Sequence, residues 1–403
     1  MHPLHSIAAI RAAEQAALAA LPPGTLMARA ASASAAYARK LLNDASGPIL
    51  VLAGPGNNGG DALLCAAELA AAHPVSIFFI GDAAALPADA ARAYAQARAS
   101  AAIWLAALPA QSAWALVIDG LFGIGLTRPL QGAALAAVDY TAELRCPVLA
   151  LDVPSGLHAE TGQPIGGGSA VRATHTITFI GDKPGLHTGA GRDHAGQVEL
   201  ATLGVAPAGE AQLRLSQMAD FAHCLRPRAH ASHKGTYGDV AIAGGADGMG
   251  GAVLLAARTA AMCGAGRVYA GFLGSAPALD YQHPELMCRD VRTLDVTRAA
   301  VVAGPGLSTA APAAALLTRL VQTPGPLVLD ADALNLLASQ PILRQAASAR
   351  KGATLLTPHP LEAARLLEST VEAIQADRVG SARALAARLH AVVILKGSGS
   401  VIA

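Results

Sequence analysis

Hydrophobic residues along this chain change their spacing several times, and each change marks an element. They recur at helical spacing from Ile7 to Ala20, where Pro22-Pro23-Gly24 stops the pattern, and again from about Thr25 to Leu42. After Gly47-Pro48 the helical period disappears. Ile49 to Ala53 is apolar at every position, as a strand buried on both faces is. Similar short runs, Val75 to Ile80, Leu116 to Ile118, Val148 to Leu151 and Thr176 to Ile180, are bounded by Gly, Pro or Asp, with helical stretches at Pro87 to Ala101 and Leu130 to Leu144 between them. Alternation of this kind predicts a doubly wound α/β fold. The uncharged window from Ala99 to Ile118 is nominally long enough to span a bilayer, but Pro109, Gln111 and Ser112 divide it into helix end, turn and buried strand.

Around Gly204 to Arg228 the series is interrupted by the turn-like Ala206-Pro207-Ala208-Gly209-Glu210 and the basic Leu225-Arg226-Pro227-Arg228. We place a domain boundary near residue 215, giving domains 1–215 and 216–403. A second strand-helix series then begins at Val240 to Gly245, with a helix from about Gly251 to Cys263. Later strands end at Val301 to Ala303, Leu327 to Leu329, Leu355-Leu356 and Val393 to Leu395.

Polar residues gather where the strands end, which is where ligands sit in such folds. Gly54-Pro55-Gly56-Asn57-Asn58-Gly59-Gly60-Asp61 reads as a glycine loop leading into the helix-like Ala62 to Leu69, its glycines letting the backbone turn sharply and come close to a ligand. It is neither a nucleotide-hydrolase P-loop nor a Gly-x-Gly-x-x-Gly fingerprint. Asp119 and Asp152 follow the next apolar runs, so three strands deliver Asp61, Asp119 and Asp152 to one edge as candidate acids or bases. Asn58, Asp119 and Ser155 form an oxygen-only set suited to a hard cation rather than zinc. The loop Gly123-Ile124-Gly125-Leu126-Thr127-Arg128-Pro129 offers one cation to a phosphate. In the second half, His359 stands between two prolines in a stiff turn, where a structural role competes with a binding one. Lys396-Gly397-Ser398-Gly399-Ser400 reads either as a phosphate loop or as a surface hairpin turn. Asp330 and Asp332, two positions apart at a strand end, need not share a site.

Composition narrows the classes. The chain has 403 residues, 53% hydrophobic, with a net charge of +1, 14% charged residues and 3% aromatics. That is enough apolar material for two cores, and it lacks the basic stripe and stacking aromatics of a nucleic-acid binder. Five cysteines without a CxxC pair point to a reducing cytoplasm, and Arg11 and Glu14 inside the first apolar helix exclude a signal peptide.

Taken in order, Leu26-Met27-Ala28-Arg29-Ala30, Asn57 to Asp61, Asp119 with Gly123 to Leu126, Asp152-Val153-Pro154-Ser155-Gly156-Leu157, Lys183-Pro184-Gly185-Leu186, Ser232-His233-Lys234-Gly235, Gly304-Pro305-Gly306-Leu307, Asp330 to Asn335, Thr357-Pro358-His359-Pro360 and Lys396-Gly397 resemble the bifunctional NAD(P)H-hydrate repair enzymes. In that family a Rossmann-like epimerase domain precedes a ribokinase-like dehydratase domain. The resemblance implies that Asn57, Asn58, Gly59, Gly60, Asp61, Gly123 to Pro129 and Asp152 contact hydrated NADH or NADPH, and that Asn58, Asp119 and Ser155 hold a potassium ion. It also implies that Gly250, Gly306 and His359 contact the hydrate in the second domain, and that Lys396 to Ser400 hold ADP or ATP with Mg2+. Epimerisation at C6 of the nicotinamide ring and dehydration of the S form are the expected activities, with a small-molecule substrate, a homo-oligomeric assembly and no nucleic-acid or membrane partner. The chain ends at Ala403, before the family's glycine-rich segment closing in Gly-Asp, so a dehydratase domain lacking its last elements is expected, as a fragment or a natural truncation. Two alternatives are an epimerase-like scaffold and a vitamin-precursor kinase in the second domain.

Overall fold

A computed structural model of the chain describes residues 1–43, 47–110, 113–207, 209–224 and 227–403. Gln111 and Ser112 of the expected turn, Ala208 of the turn-like stretch and the Leu225-Arg226 pair lie outside the described residues. The chain forms two compact units, Met1–His223 and Cys224–Ala403.

The first unit contains β1 (His2–Leu4), α1 (Ile7–Ala20), α2 (Thr25–Leu42), β2 (Ile49–Ala53), α3 (Asn57–Leu69), β3 (Val75–Phe79), α4 (Ala88–Ala99), β4 (Ile103–Trp104), β5 (Leu116–Gly120), α5 (Gly132–Ala142), β6 (Val148–Leu151), β7 (His175–Phe179), α6 (Gly191–His194), β8 (Gln197–Ala201) and β9 (Leu213–Leu215). β1 and β9 form a small antiparallel ribbon, while the main sheet is parallel in the order β4-β3-β2-β5-β6-β7-β8. Alternate residues of each central strand serve opposite faces. Ile49, Val51 and Ala53 of β2 pack with α1, α2, α3 and α4, whereas Leu50 and Leu52 pack with α5. Apolar side chains are thus needed at every position, which is why these strands read as unbroken hydrophobic runs. The chain leaves β2 toward β3 on one side and later resumes at β5 on the other. The connections after β2 and β5 therefore diverge, and they open a crevice at the carboxyl ends of the strands.

Two expectations about this crevice are corrected. Asn57 to Asp61 are the first turns of α3, not a loop, and Asp119 lies inside β5 rather than beyond it. None of Gly54, Gly56, Gly59 and Gly60 has a left-handed backbone. A Cβ on Gly59 would lie 1.9 Å from the Gly54 carbonyl oxygen, and one on Gly60 would lie 2.6 Å from Met27 Cε. These glycines allow close approach of α3 to its neighbours instead of a sharp bend.

The second unit contains β10 (Asp239–Gly244), α7 (Gly250–Met262), β11 (Arg267–Phe272), β12 (Met287–Asp290), β13 (Ala299–Ala303), α8 (Ala311–Leu320), β14 (Leu327–Leu329), α9 (Asp332–Ser339), α10 (Pro341–Ser348), β15 (Thr354–Leu356), α11 (Pro360–Leu367), α12 (Val371–Ala376), α13 (Arg378–Leu389), β16 (Val392–Leu395) and β17 (Val401–Ile402). Its sheet runs β12-β11-β10-β13-β14-β15-β16-β17, parallel except for the β16–β17 pair. One face packs on α8, α9, α10, α11 and α13, the other on α7. Ala53-Gly54-Pro55-Gly56 and Ala303-Gly304-Pro305-Gly306 share a sequence but not a backbone, since Gly304 and Gly306 take φ of +123° and +60°. No described helix is long and apolar enough to cross a membrane.

Candidate active site

The crevice of the first unit is a cleft of about 540 Å³. Its floor and walls come from Pro55 to Asn58 and Asp61 at the start of α3, from Leu121 to Arg128 after β5, from Asp152 after β6, and from Arg11 and Glu14 on α1. Asp61 and Asp152 therefore meet in one cavity with Gly123, Ile124, Gly125, Leu126, Thr127 and Arg128. Pro129 does not line it, and packs where a Cβ on Gly166 would touch its ring. Gly59 and Gly60 are buried beneath the cleft, consistent with their packing role.

Three carboxylates crowd this space. Burial, reinforced by the charges of Asp152 and Glu14, pushes the Asp61 carboxyl well above the usual carboxylate range. Glu14 is raised for the same reasons, burial first and then Asp152, with Arg11 opposing. Asp152 has a left-handed backbone with φ +66°. Its Oδ2 accepts from the Ile124 amide at 3.2 Å, and its Oδ1 pairs with Lys183 Nζ at 2.8 Å. Arg11 Nη2 donates to the Ile124 carbonyl at 3.3 Å, so α1 also grips the loop after β5. Sequence reasoning passed over Arg11, Glu14 and Lys183 as site residues. The signal for the first two was two charges on an otherwise apolar helix.

Asp119 lies below the cleft at zero exposure. Its Oδ1 accepts from Ser155 Oγ at 2.6 Å and from the Leu121 amide at 3.2 Å, and its Oδ2 accepts from the Ser155 amide at 2.8 Å. Burial raises its pKa from an ordinary 3.8 to about 6 against the pull of these bonds. Ser155 Oγ also accepts from the Phe122 amide at 2.9 Å and lies 3.1 Å from the Phe122 carbonyl. Nearby, both polar atoms of the Asn58 carboxamide are buried and make no protein hydrogen bond. A Cβ on Gly123 would lie 3.4 Å from Asn58 Cγ and 2.9 Å from Asp152 Oδ2, so this glycine keeps open the space between those side chains. An orphaned carboxamide beside a carboxylate, a hydroxyl and main-chain carbonyls suits a hard cation. Among the described residues no group of three or more His, Cys, Asp and Glu side chains is placed to hold a metal.

The second unit gathers its expected residues at the carboxyl ends of its strands. Gly250 opens α7, and a Cβ on Gly306 would lie 2.5 Å from the Met249 carbonyl, which puts the two glycine turns side by side. His359 caps α11, its Nδ1 accepting from the Leu361 and Glu362 amides at 3.1 and 3.4 Å. The Lys396 amide donates to the Pro358 carbonyl at 2.8 Å, and Lys396 Nζ meets Asp330 Oδ1 at 2.7 Å. Asp332 turns elsewhere and accepts from the Ser308 amide at 2.7 Å. Gly397 and Gly399 take φ of +136° and +60°, and the nearly inaccessible Arg378 reaches the Leu395 and Lys396 carbonyls, both at 3.2 Å. Arg378 lies on α13, far from any glycine motif, and nothing in the sequence marked it.

These two sites fall within two regions that match known families. Residues 23–185 match the YjeF-related protein N-terminus, and residues 240–403 match the NAD(P)H-hydrate dehydratase family. The Bifunctional NAD(P)H-hydrate repair enzyme Nnr of Escherichia coli (strain K12) is 36% identical over 397 residues, a match covering 94% of this chain and 74% of that protein. The NAD(P)H-hydrate epimerase of Achromobacter xylosoxidans (strain A8) is 45% identical over 207 residues, 51% of this chain and 97% of that protein. Among solved structures, the ADP/ATP-dependent NAD(P)H-hydrate dehydratase from Bacillus subtilis, co-crystallised with ATP/Mg2+, is 32% identical with a TM-score of 0.38, and the match covers 44% of this chain and 65% of that one. The chain is thus a two-domain α/β protein with an epimerase-type and a dehydratase-type region. It belongs to the family of bifunctional NAD(P)H-hydrate repair enzymes.

Proposed function

We propose that the first unit interconverts the R and S forms of hydrated NADH and NADPH at C6 of the nicotinamide ring, and that the second unit carries the ADP- or ATP-dependent, Mg2+-assisted dehydration of the S form. The observation that carries the first assignment is the meeting of Asp61 and Asp152 in one cleft, in opposite environments. Asp61 is crowded by burial and by like charge, which favours the protonated form. Asp152 is paired with an ammonium, which favours the ionised form.

The hydrate carries its hydroxyl on the carbon next to the ring nitrogen. Donation of a proton from Asp61 to that hydroxyl lets the C6–O bond break as water leaves, the nitrogen lone pair forming a C6=N double bond. Addition of water to the opposite face, with its extra proton passing to Asp152, gives the other epimer. Proton exchange with solvent then resets both carboxyls. Asp119, held by Ser155 and Leu121 below the cleft, takes no part in these transfers. The amides at the start of α3, where Gly56 makes no side-chain cap, suit the pyrophosphate, and Arg128 at the cleft wall suits a phosphate. Asn58, Asp119 and Ser155 would hold potassium, which supplies a fixed positive charge below the ring site when bound.

In the second unit Gly250, Gly306 and His359 would face the hydrate, and Lys396 to Ser400 would take the adenine nucleotide. Purified S hydrate incubated with the protein in potassium buffer, and resolved by chromatography, tests the epimerase reading. The R form is expected to appear well above the spontaneous rate; an unaccelerated rate contradicts the proposal.

A further inference from the structure

Lys183 has no role in the scheme above. It follows β7 at zero exposure, and its ammonium lies 2.6 Å from Thr178 Oγ1, 3.2 Å from the Phe179 carbonyl, 3.1 Å from the Gly181 carbonyl and 2.8 Å from Asp152 Oδ1. Three of these partners are neutral, so Asp152 supplies the only negative charge among the four. A charge so deeply buried binds its counterion tightly, because either one left alone is strongly destabilising. The other Asp152 oxygen takes the Ile124 amide, which clamps the carboxylate between the end of β7 and the loop after β5. The remaining charged neighbours of Asp152 are Asp61 on α3 and Glu14 on α1, with Arg11 beside Glu14. Beyond Lys183 stand Asp182 and His5.

We propose that Lys183 is a positioning residue of the epimerase site, holding Asp152 as an oriented carboxylate against the like charges of Asp61 and Glu14. This rests on the reading of Asp152 as the base. A neutral residue at 183 leaves Asp152 facing two carboxyls with no counterion. The carboxylate then takes up a proton at higher pH, and one of its two clamps is gone.

The test compares wild type with Lys183→Met, or Lys183→Gln where the methionine variant does not fold. An opposite charge at this range moves a carboxylate by about 1–3 pH units. The acid limb of the kcat profile is therefore expected to move up by about one unit or more, with kcat at about pH 6 falling ~10-fold or more and recovering toward pH 9. KM for the hydrate should stay within about threefold, because the lost charge acts on the reacting carboxylate rather than on substrate binding. Thr178→Val removes a neutral partner of the same ammonium and should lower the melting temperature without moving the limb. A folded 183 variant whose activity drops evenly at all pH values, or whose limb stays in place, overturns the proposal.

A melting cycle reads the pairing without activity. Asp152→Asn strands the ammonium, so it should melt below Asp152→Asn/Lys183→Met; an equal or higher melting temperature for the single variant overturns the pairing. Absence of hydrate exchange in the wild type would defeat the proposed function instead, and the melting cycle would still decide for or against Lys183.

Discussion

Replacing potassium with choline at constant ionic strength is expected to lower the melting temperature of the first unit, and to lower it most at alkaline pH. The size follows from Asp119. Its pKa rises from 3.8 to about 6 on burial, roughly two units, so holding it ionised costs about 3 kcal/mol. The native state binds this proton more tightly than the unfolded chain does. Its stabilising contribution is therefore full below about 3.8 and lost as pH rises through about 6. A cation held by Asn58, Asp119 and Ser155 offsets the cost, and it competes with the proton. Potassium at about 100 times its dissociation constant stabilises by about 2.7 kcal/mol. A unit of this size moves by about 2–4 °C per kcal/mol, so a shift of roughly 5–10 °C is expected above neutral pH, shrinking as pH falls through the titration of Asp119. Melts followed by circular dichroism at alkaline and acidic pH measure it. Asn58→Ala is the decisive control: its carboxamide has no protein partner, so the variant should be as stable as wild type in choline, or more so by about 1 kcal/mol, and should lose the potassium shift. Equal melting in potassium and choline at alkaline pH, or a shift that survives Asn58→Ala, would refute the reasoning.

Asp61→Asn should raise the melting temperature near neutral pH, because the wild-type carboxyl prefers its proton in the folded state; the gain should fade toward about pH 4, where the unfolded chain is protonated too, and a variant less stable at all pH values would count against the crowding of Asp61. Gly59→Ala should cost about 3 kcal/mol or more in denaturant unfolding, since its Cβ would collide with the Gly54 carbonyl at 1.9 Å. Gly56→Ala, with nothing within 4 Å and an extended φ of −111°, should stay within about 0.5 kcal/mol. Similar losses in both would mean that the glycines serve the backbone rather than the packing.

Strands buried on both faces were legible because every residue in them is apolar, and β2 and β6 carry the expected bounds of Ile49–Ala53 and Val148–Leu151. Strands with polar or charged positions left no such trace. β8 (Gln197–Ala201) includes Gln197 and Glu199, β11 (Arg267–Phe272) begins on Arg267, and β12 (Met287–Asp290) ends on Arg289-Asp290. The helical start at Asn57 was masked because Asn and Gly are poor helix formers, and only packing against Gly54 and Met27 makes their small size an advantage. The polar residues at strand ends were readable as a set. Which of them share the cleft was not, because Arg11, Glu14 and Lys183 reach it from elements distant in sequence from Asp61 and Asp152.

The most direct test follows a single epimer of the hydrate to the R and S mixture in potassium buffer, comparing wild type with Asp61→Asn and Asp152→Asn. Wild type is expected to exchange the epimers far above the spontaneous rate, and each variant to lose at least about 100-fold, the scale of one positioned acid or base. Exchange at the spontaneous rate in the wild type, or at the wild-type rate in both variants, would contradict an epimerase site built on these two carboxyls.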